Sequence, residues 1–333
     1  RYDTSKQKVL KTVKFKRAFL MEPHRFEIHE VEEEPGPGEV MMKVASCGLC
    51  NWELNFWDGN LNFMGYPHKL GHEFAGTVVK LGPGCTKFKV GDKISAVARG
   101  FGGFAEYRAT PEACCEKLAD NIDPKYALGE PQKCILTVLR ATAPQAADYG
   151  VVLGCGPMGM WCIQALAGNY LAGLIAIDVD DAKLEMAKGF GATATINSKN
   201  ENVVERIREI TGGHMADFVI EGTGIPALLN AAQDYLKVGR DSRLVLMSSH
   251  HDVCKEFDFR KAIDRGLKIL VAHPPMSESE PEDFRRAVVY INNGTFQNKP
   301  LITHEFKLSE IQTAFETLEH KPAGFMKGIV VPD

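Results

Sequence analysis

Residues 149–178 read YGVVLGCGPMGMWCIQALAGNYLAGLIAID, and this stretch decides the fold. GVVLGCG is an apolar run ending in glycines, PMGMWCIQALAG has a helical pattern, and LAGLIAID is a second apolar run that ends in an acid. Gly154, Gly156 and Gly159 form G-x-G-x-x-G, with Cys155, Pro157 and Met158 between them, and Asp178 stands nineteen residues beyond Gly159. The glycines alone are a weak signal. Closing a strand, opening a helix and followed at this distance by an acid, they have the spacing of a dinucleotide-binding unit. Gly154 permits the tight turn, Gly156 lets the backbone approach a pyrophosphate, and Gly159 lets helix and strand pack closely. The helix N-terminus then offers N–H groups and a positive dipole end to the phosphates. Asp178 would accept hydrogen bonds from ribose hydroxyls and repel a 2′-phosphate, so NAD is expected over NADP. The other reading is an ordinary strand–turn–helix with an unrelated aspartate.

Working outward, strands and helices keep alternating. DDAKLEMAKGFG, NVVERIREITGG and IPALLNAAQDYLKVG read as helices, and ATATIN, ADFVIEGTG, SRLVLMSS and LKILVAH as strands. Apolar strands separated by amphipathic helices are what a parallel sheet covered on both faces requires. Residues 142–276 are therefore expected to form one Rossmann-type, doubly wound coenzyme domain of the α/β class. From about Val13 to Ala109 the character differs: EVMMKVAS, FAGTVVKLG and KISAVA are short runs punctuated by PGPG, LGPG and VGD, which predicts a compact, barrel-like β domain. After residue 276, EDFRRAVVYINNG and SEIQTAFETLEH read as helices and MKGIVV as a closing strand. This tail is too short for a domain, so it is expected to return to the first one, giving a discontinuous domain of residues 1–141 and 277–333.

Composition narrows the function. The 333 residues are 44% apolar and 25% charged with a formal net charge of -4, an ordinary globular profile without a basic field for nucleic acid. No apolar run is long enough to span a membrane. RYDTSKQKVLKTVKFK, at the start, is basic but lacks the apolar core of a secretory signal. Arg1 is not a start methionine, which fits a trimmed chain or one that follows a removed tag. Nine irregularly spaced cysteines do not read as a disulfide framework, so a cytoplasmic location is expected.

Candidate metal ligands are scattered. Cys50 lies in ASCGLCNWEL, His72 and Glu73 in LGHEFAG, and Glu130 in ALGEPQKC. Thiolate, imidazole and carboxylate suit a catalytic zinc that keeps one position open. Each also has a plainer reading: the cysteine as packing, the histidine as a satisfied core or surface group, Glu-Pro as a solvated turn.

The order GLCNWEL, GHEFAGTVVKLGPG, VGD, GEP, GCGPMG and AID resembles the medium-chain dehydrogenase/reductase superfamily, from about residue 15 to the end. The resemblance implies a GroES-like β-barrel catalytic domain, a Rossmann coenzyme domain and an active site in the cleft between them. Glu130-Pro131 is similar to polyol dehydrogenases of the sorbitol type. In those, the matching positions supply Cys50, His72 and Glu130 as zinc ligands, with Glu73 nearby as a ligand or water partner; whether Glu73 or Glu130 is the third ligand stays open. A homo-dimer or homo-tetramer is also implied.

Two departures stand out. VGDKISAVARGFGGFAEYR has no cysteine, so the lobe that carries a structural zinc in many relatives is absent and one catalytic zinc is expected. Cys47, which makes a C-x-x-C with Cys50, has no second pair and is expected to be packing. Trp52 stands where relatives often carry the hydroxyl that begins a proton relay, and an indole cannot accept a proton. Zinc-bound water, Glu73 or another group would then move the proton, and Glu53 could orient His72 from behind.

The expected chemistry is zinc polarising the oxygen of a small hydroxylated substrate while hydride passes to or from NAD. Trp52, Phe56 and Trp57 could line the substrate site or simply pack a helix. Asn51, Asn55 and Asn62 mildly favour a polyol, sugar or cyclitol. His250 and His251 follow the strand SRLVLMSS and read as a surface loop near the cleft. Two alternatives remain: a zinc-free NAD(P)H-dependent reductase of the same fold, and a non-catalytic dinucleotide binder.

Overall fold

In the computed structural model, residues 12–333 are described except 64, 98–99, 169 and 250–252. His250, His251 and the basic stretch 1–11 thus lie outside the described residues. The chain divides into two compact units, residues 1–130 with 298–333, and residues 131–297.

In the first unit, β1 (Val13–Glu22) and β2 (Arg25–Glu33) form an antiparallel hairpin. β3 (Glu39–Gly48), α1 (Leu54–Trp57), β4 (Glu73–Leu81), β5 (Lys93–Val97), β6 (Tyr107–Pro111) and β7 (Cys115–Lys117) follow. The C-terminal segment adds β14 (Ile302–Lys307), α9 (Ile311–His320) and β15 (Lys327–Val331). These strands pair in the order β14-β15-β3-β4-β5-β7, with β6 on β3. The end of the tail, residues 298–333, therefore returns to the first unit, whereas residues 277–297 stay with the second. Alternation drives the barrel: Val40, Met42, Val44 and Val78 point into one core with Phe74, Ile94 and Phe315 of α9, while on the other face of β3 Lys43 is exposed and Met41 is buried.

The second unit carries β8 (Tyr149–Leu153), β9 (Gly173–Asp178), β10 (Ala194–Asn197), β11 (Phe218–Glu221), β12 (Arg243–Leu246) and β13 (Lys268–Val271). They form a six-stranded parallel sheet in the order β10-β9-β8-β11-β12-β13. The order reverses at β8, so the glycine-rich turn that follows it sits at the switch point where open α/β sheets bind ligands. Around the strands run α3 (Pro157–Leu166), α4 (Asp181–Gly189), α5 (Val203–Ile210), α6 (Pro226–Ala232), α7 (Phe259–Asp264) and α8 (Glu280–Asn292). Local chemistry starts them: Pro157 occupies the first turn of α3, and the Asp180 side chain accepts from the Ala182 and Lys183 N–H groups to cap α4.

The unit boundaries differ from the expected 141/142 and 276/277. The reason is a helix that the sequence reading missed, α2 (Gly129–Thr142), whose Pro131 looked like a turn residue but is tolerated in a first helical turn. Beyond Glu130 this helix belongs to the second unit. α8 belongs there too, because the buried Asp283 accepts from Thr137 and Ser277 and pairs with Arg140. No helix among the described residues is long and apolar enough to cross a membrane.

Candidate metal and coenzyme sites

Sheet register gathers the metal candidates. Gly48, at the end of β3, pairs with Glu73 at the start of β4 on one side and with Ile329 of β15 on the other. Cys50 lies two residues past that rung, His72 one residue before β4, and Lys327 two residues before Ile329. Three distant parts of the chain therefore meet at one sheet end. The ligand atoms of Cys50, His72 and Glu73 all lie within 4.8 Å of one another. Glu130, in the first turn of α2, places Oε2 at 3.8 Å from His72 Nε2.

The surroundings orient these groups. Cys50 precedes a single 3-10 turn, Asn51–Glu53, which folds the buried Glu53 back beneath the site. Glu53 Oε1 accepts from the Gly71 N–H at 2.7 Å and lies 2.8 Å from His72 Nδ1. A carboxylate only accepts, so Nδ1 carries the proton and Nε2 is left as the donor atom for a metal. Lys327 Nζ lies 2.6 Å from Glu73 Oε2 and donates to the Leu49 carbonyl at 2.9 Å.

Electrostatics follow from burial. Burial opposes charge on His72, but Glu53 and Cys50 outweigh it and hold the imidazole well above its usual value. Burial pushes the Cys50 thiol up, reinforced by Glu73. It also pushes Glu73 up, against the pull of Lys327. Burial likewise opposes charge on Lys327, yet Glu73 and Cys50 hold it above its usual value. A divalent cation binds such groups deprotonated and releases their protons. One thiol, one oriented imidazole and one carboxylate make the donor set of a catalytic zinc, so the residues fit the metal that the sequence suggests.

The aromatic residues divide. Trp57 is not at the site: it is 1% exposed, packs against Phe26 and Phe315, and donates from its indole N–H to Glu319 at 3.1 Å. Phe56 is equally buried. Trp52 is at the site, with its ring centroid 5.9 Å from that of His72. Asn51 is exposed, and Asn55 spends its amide on the Trp52 carbonyl at 2.9 Å. Cys47 is buried packing, as expected. Two residues at this site escaped the sequence reading. Phe101 sits in a glycine-rich loop with no period to flag it. Lys327 lies in the closing strand MKGIVV, and a lysine in an otherwise apolar run is the signal that marks it.

The coenzyme candidates also come together, in the second unit. Gly154 has φ +97°, a conformation that favours glycine. A Cβ on Gly159 would sit 2.0 Å from the Gly154 carbonyl oxygen, whereas one on Gly156 would meet nothing within 4 Å. Gly159 is thus required by protein packing, and Gly156 lines open space at the N-terminus of α3, as a pyrophosphate cradle needs. Pro157 and Met158 form the first turn of α3. The Asp178 carboxylate accepts from the Cys155 N–H at 2.7 Å, and from the Val179 and Asp180 N–H groups at 2.8 and 3.1 Å. It therefore ties the glycine-rich turn to the end of β9. Glu221 adds an unforeseen support, accepting from the Thr223 N–H at 2.6 Å in a turn that packs against Gly154.

Comparison with known proteins agrees with this layout. Residues 36–120 match the alcohol dehydrogenase GroES-like domain, and residues 157–291 match the zinc-binding dehydrogenase family. The chain is 32% identical to (R,R)-butanediol dehydrogenase of Bacillus subtilis over 61% of this chain and 69% of that one. It is 26% identical to sorbitol dehydrogenase of Halalkalibacterium halodurans over 86% and 90%. The crystal structure of 2R,3R-butanediol dehydrogenase from Bacillus subtilis superposes with a TM-score of 0.82 at 26% identity, covering 96% of this chain and 100% of that one. Both domain families, matched in the order the sequence motifs follow, and this degree of identity assign the chain to the zinc-dependent medium-chain dehydrogenase superfamily.

Proposed function

We propose that the protein is a zinc-dependent oxidoreductase that exchanges hydride between NAD(H) and a secondary alcohol or its ketone, of the polyol, sugar or cyclitol kind. The observation that carries this reading is the meeting of Cys50, His72 and Glu73 within 4.8 Å, with Glu130 beside His72 and Glu53 behind it. The relatives named for butanediol and sorbitol support a substrate with a secondary hydroxyl.

Bound there, zinc supplies Lewis-acid polarisation of the substrate oxygen, and the nicotinamide supplies hydride exchange. The chain does the rest. Cys50, His72 and a carboxylate from Glu130 or Glu73 hold the metal. Glu53 fixes the imidazole tautomer, and Lys327 balances the Glu73 charge. Trp52 cannot take up the proton of the substrate hydroxyl, which leaves as acceptor whichever of the Glu73 and Glu130 carboxylates does not hold the metal. In the other unit, Gly156 admits the pyrophosphate, and Asp178 receives ribose hydroxyls while repelling a 2′-phosphate.

The reading extends to assembly and location. β13 is the last strand of its sheet, with Ile269 and Val271 exposed, and Phe259 and Ile263 on α7 are each 74% exposed. An apolar edge that pairs with no further strand among the described residues suits a second copy of the chain, and sedimentation would read the resulting dimer or tetramer. The free thiols suit a cytoplasmic location.

The test is metal content by elemental analysis of wild type, Glu130→Ala and Glu73→Ala, with NADH formation on a panel of secondary alcohols. The expected result is one zinc per chain, weakened in the variant that lacks the true third ligand. Wild-type protein purified without chelator and found free of zinc would sink the reading.

A further inference from the structure

Trp52 is 40% exposed and stacks on Phe101, with ring centroids 5.8 Å apart and planes 8° from parallel. Both rings stand at 89° to His72, each 5.9 Å away. Phe56 braces the pair from within the core, 5.2 Å from Trp52 and 5.6 Å from Phe101, and also touches the exposed Phe63 at 5.4 Å. The backbone is held as well, since the Trp52 carbonyl accepts from Asn55. The result is an aromatic wall, backed by the core, that stands beside the candidate metal-ligating imidazole and is open to solvent at Trp52.

We propose that this wall makes the enzyme select a ring-shaped secondary alcohol, a cyclitol, pyranose or carbocyclic alcohol, over an open-chain one. The inference rests on the dehydrogenase reading and narrows its substrate. A ring presents a flat face of C–H groups to an indole and keeps its hydroxyls on its rim, so it stacks without burying them. An open-chain polyol laid on the same wall turns hydroxyls toward aromatic carbon, where no acceptor replaces the lost water. It also gives up several free rotors that the ring has already closed. The wall itself pays little of that cost, because Trp52 and Phe101 already pack on each other and against Phe56. Trp52 thus does more than remove the relay hydroxyl: it occupies that position with a recognition surface.

Fluorescence gives a test that does not depend on turnover. Of the three tryptophans, Trp57 and Trp161 are each 1% exposed, so a ligand-dependent change in emission reports on Trp52. Zinc-loaded protein without coenzyme is titrated with cyclohexanol, myo-inositol, butane-2,3-diol and sorbitol. The ring alcohols are expected to give a saturable change with apparent affinity about tenfold above the open-chain pair. Trp52→Leu and Phe101→Leu, checked for unchanged zinc content and Tm, are expected to raise KM for ring alcohols by about tenfold and the open-chain KM by much less. Equal or tighter binding of the open-chain pair to wild type overturns the inference, as do variants that raise KM alike for both kinds. Turnover confined to open-chain alcohols would remove the ring preference and leave the dehydrogenase intact. Absence of zinc would remove the dehydrogenase reading itself.

Discussion

Glu53 Oε1 stands 2.8 Å from Nδ1 of His72, behind the imidazole whose other nitrogen lies 3.8 Å from Glu130. The contact fixes both ring orientation and tautomer. Glu53→Gln is therefore expected to lower zinc affinity by about tenfold and Glu53→Ala by up to about a hundredfold, measured by competition with a chromogenic chelator. An unchanged affinity in both variants would mean that Glu53 serves only the Gly71 N–H.

Lys327 and Glu73 form a buried ion pair. Removing one partner leaves the other charge without compensation, so Lys327→Met is expected to destabilise the metal-free protein by about 3–5 kcal/mol. Zinc supplies positive charge to the same carboxylate, so adding it should narrow the difference from wild type. Thermal melts with and without zinc decide this, and an identical loss in both conditions counts against the coupling.

Gly156 and Gly159 are separated by what a methyl group would meet. Gly156→Ala should leave Tm unchanged while weakening NAD binding by at least about tenfold. Gly159→Ala forces a backbone shift and should cost about 1–3 kcal/mol of stability. Calorimetric titration with NAD beside a denaturation curve separates the two; a G156A variant with normal NAD affinity would place the pyrophosphate elsewhere.

Asp178 holds the glycine-rich turn through the Cys155 N–H and carries the charge expected to exclude a 2′-phosphate. Asp178→Asn is expected to weaken NAD binding by about tenfold and NADP binding by less, so the preference ratio falls. A parallel loss for both coenzymes would show that Asp178 only shapes the turn.

Asp217 gives a pH signature away from the metal. Burial alone would raise its carboxyl, but Lys237 at 2.5 Å, the Tyr149 N–H and His214 outweigh it and hold the group below the usual aspartate range. A lowered folded value means that the stabilisation is complete above about pH 4, the ordinary aspartate value, and fades as pH falls through the folded one. Asp217→Asn should therefore cost about 1.5–3 kcal/mol at pH 7, with the gap closing below about pH 4. A gap independent of pH would assign the loss to packing instead.

The periodic parts of this protein were legible in its sequence. The glycine spacing at 154–159, the acid at 178 and the apolar runs of β8 to β13 specify a parallel sheet and its turn, because hydrophobic period and glycine placement are local properties of the chain. The return of the C-terminal strand also followed from length alone. Tertiary structure decided what depends on long-range register. It brought Lys327 to Glu73 and Phe101 to Trp52, and it sent Trp57 into the core only five residues from Trp52. It also turned Glu130-Pro131 into the first turn of a helix and thereby moved the domain joins. Sequence spacing names the donors a metal would want, but only the pairing of β3 with β4 and β15 brings cysteine, histidine, carboxylate and lysine to one end of a sheet.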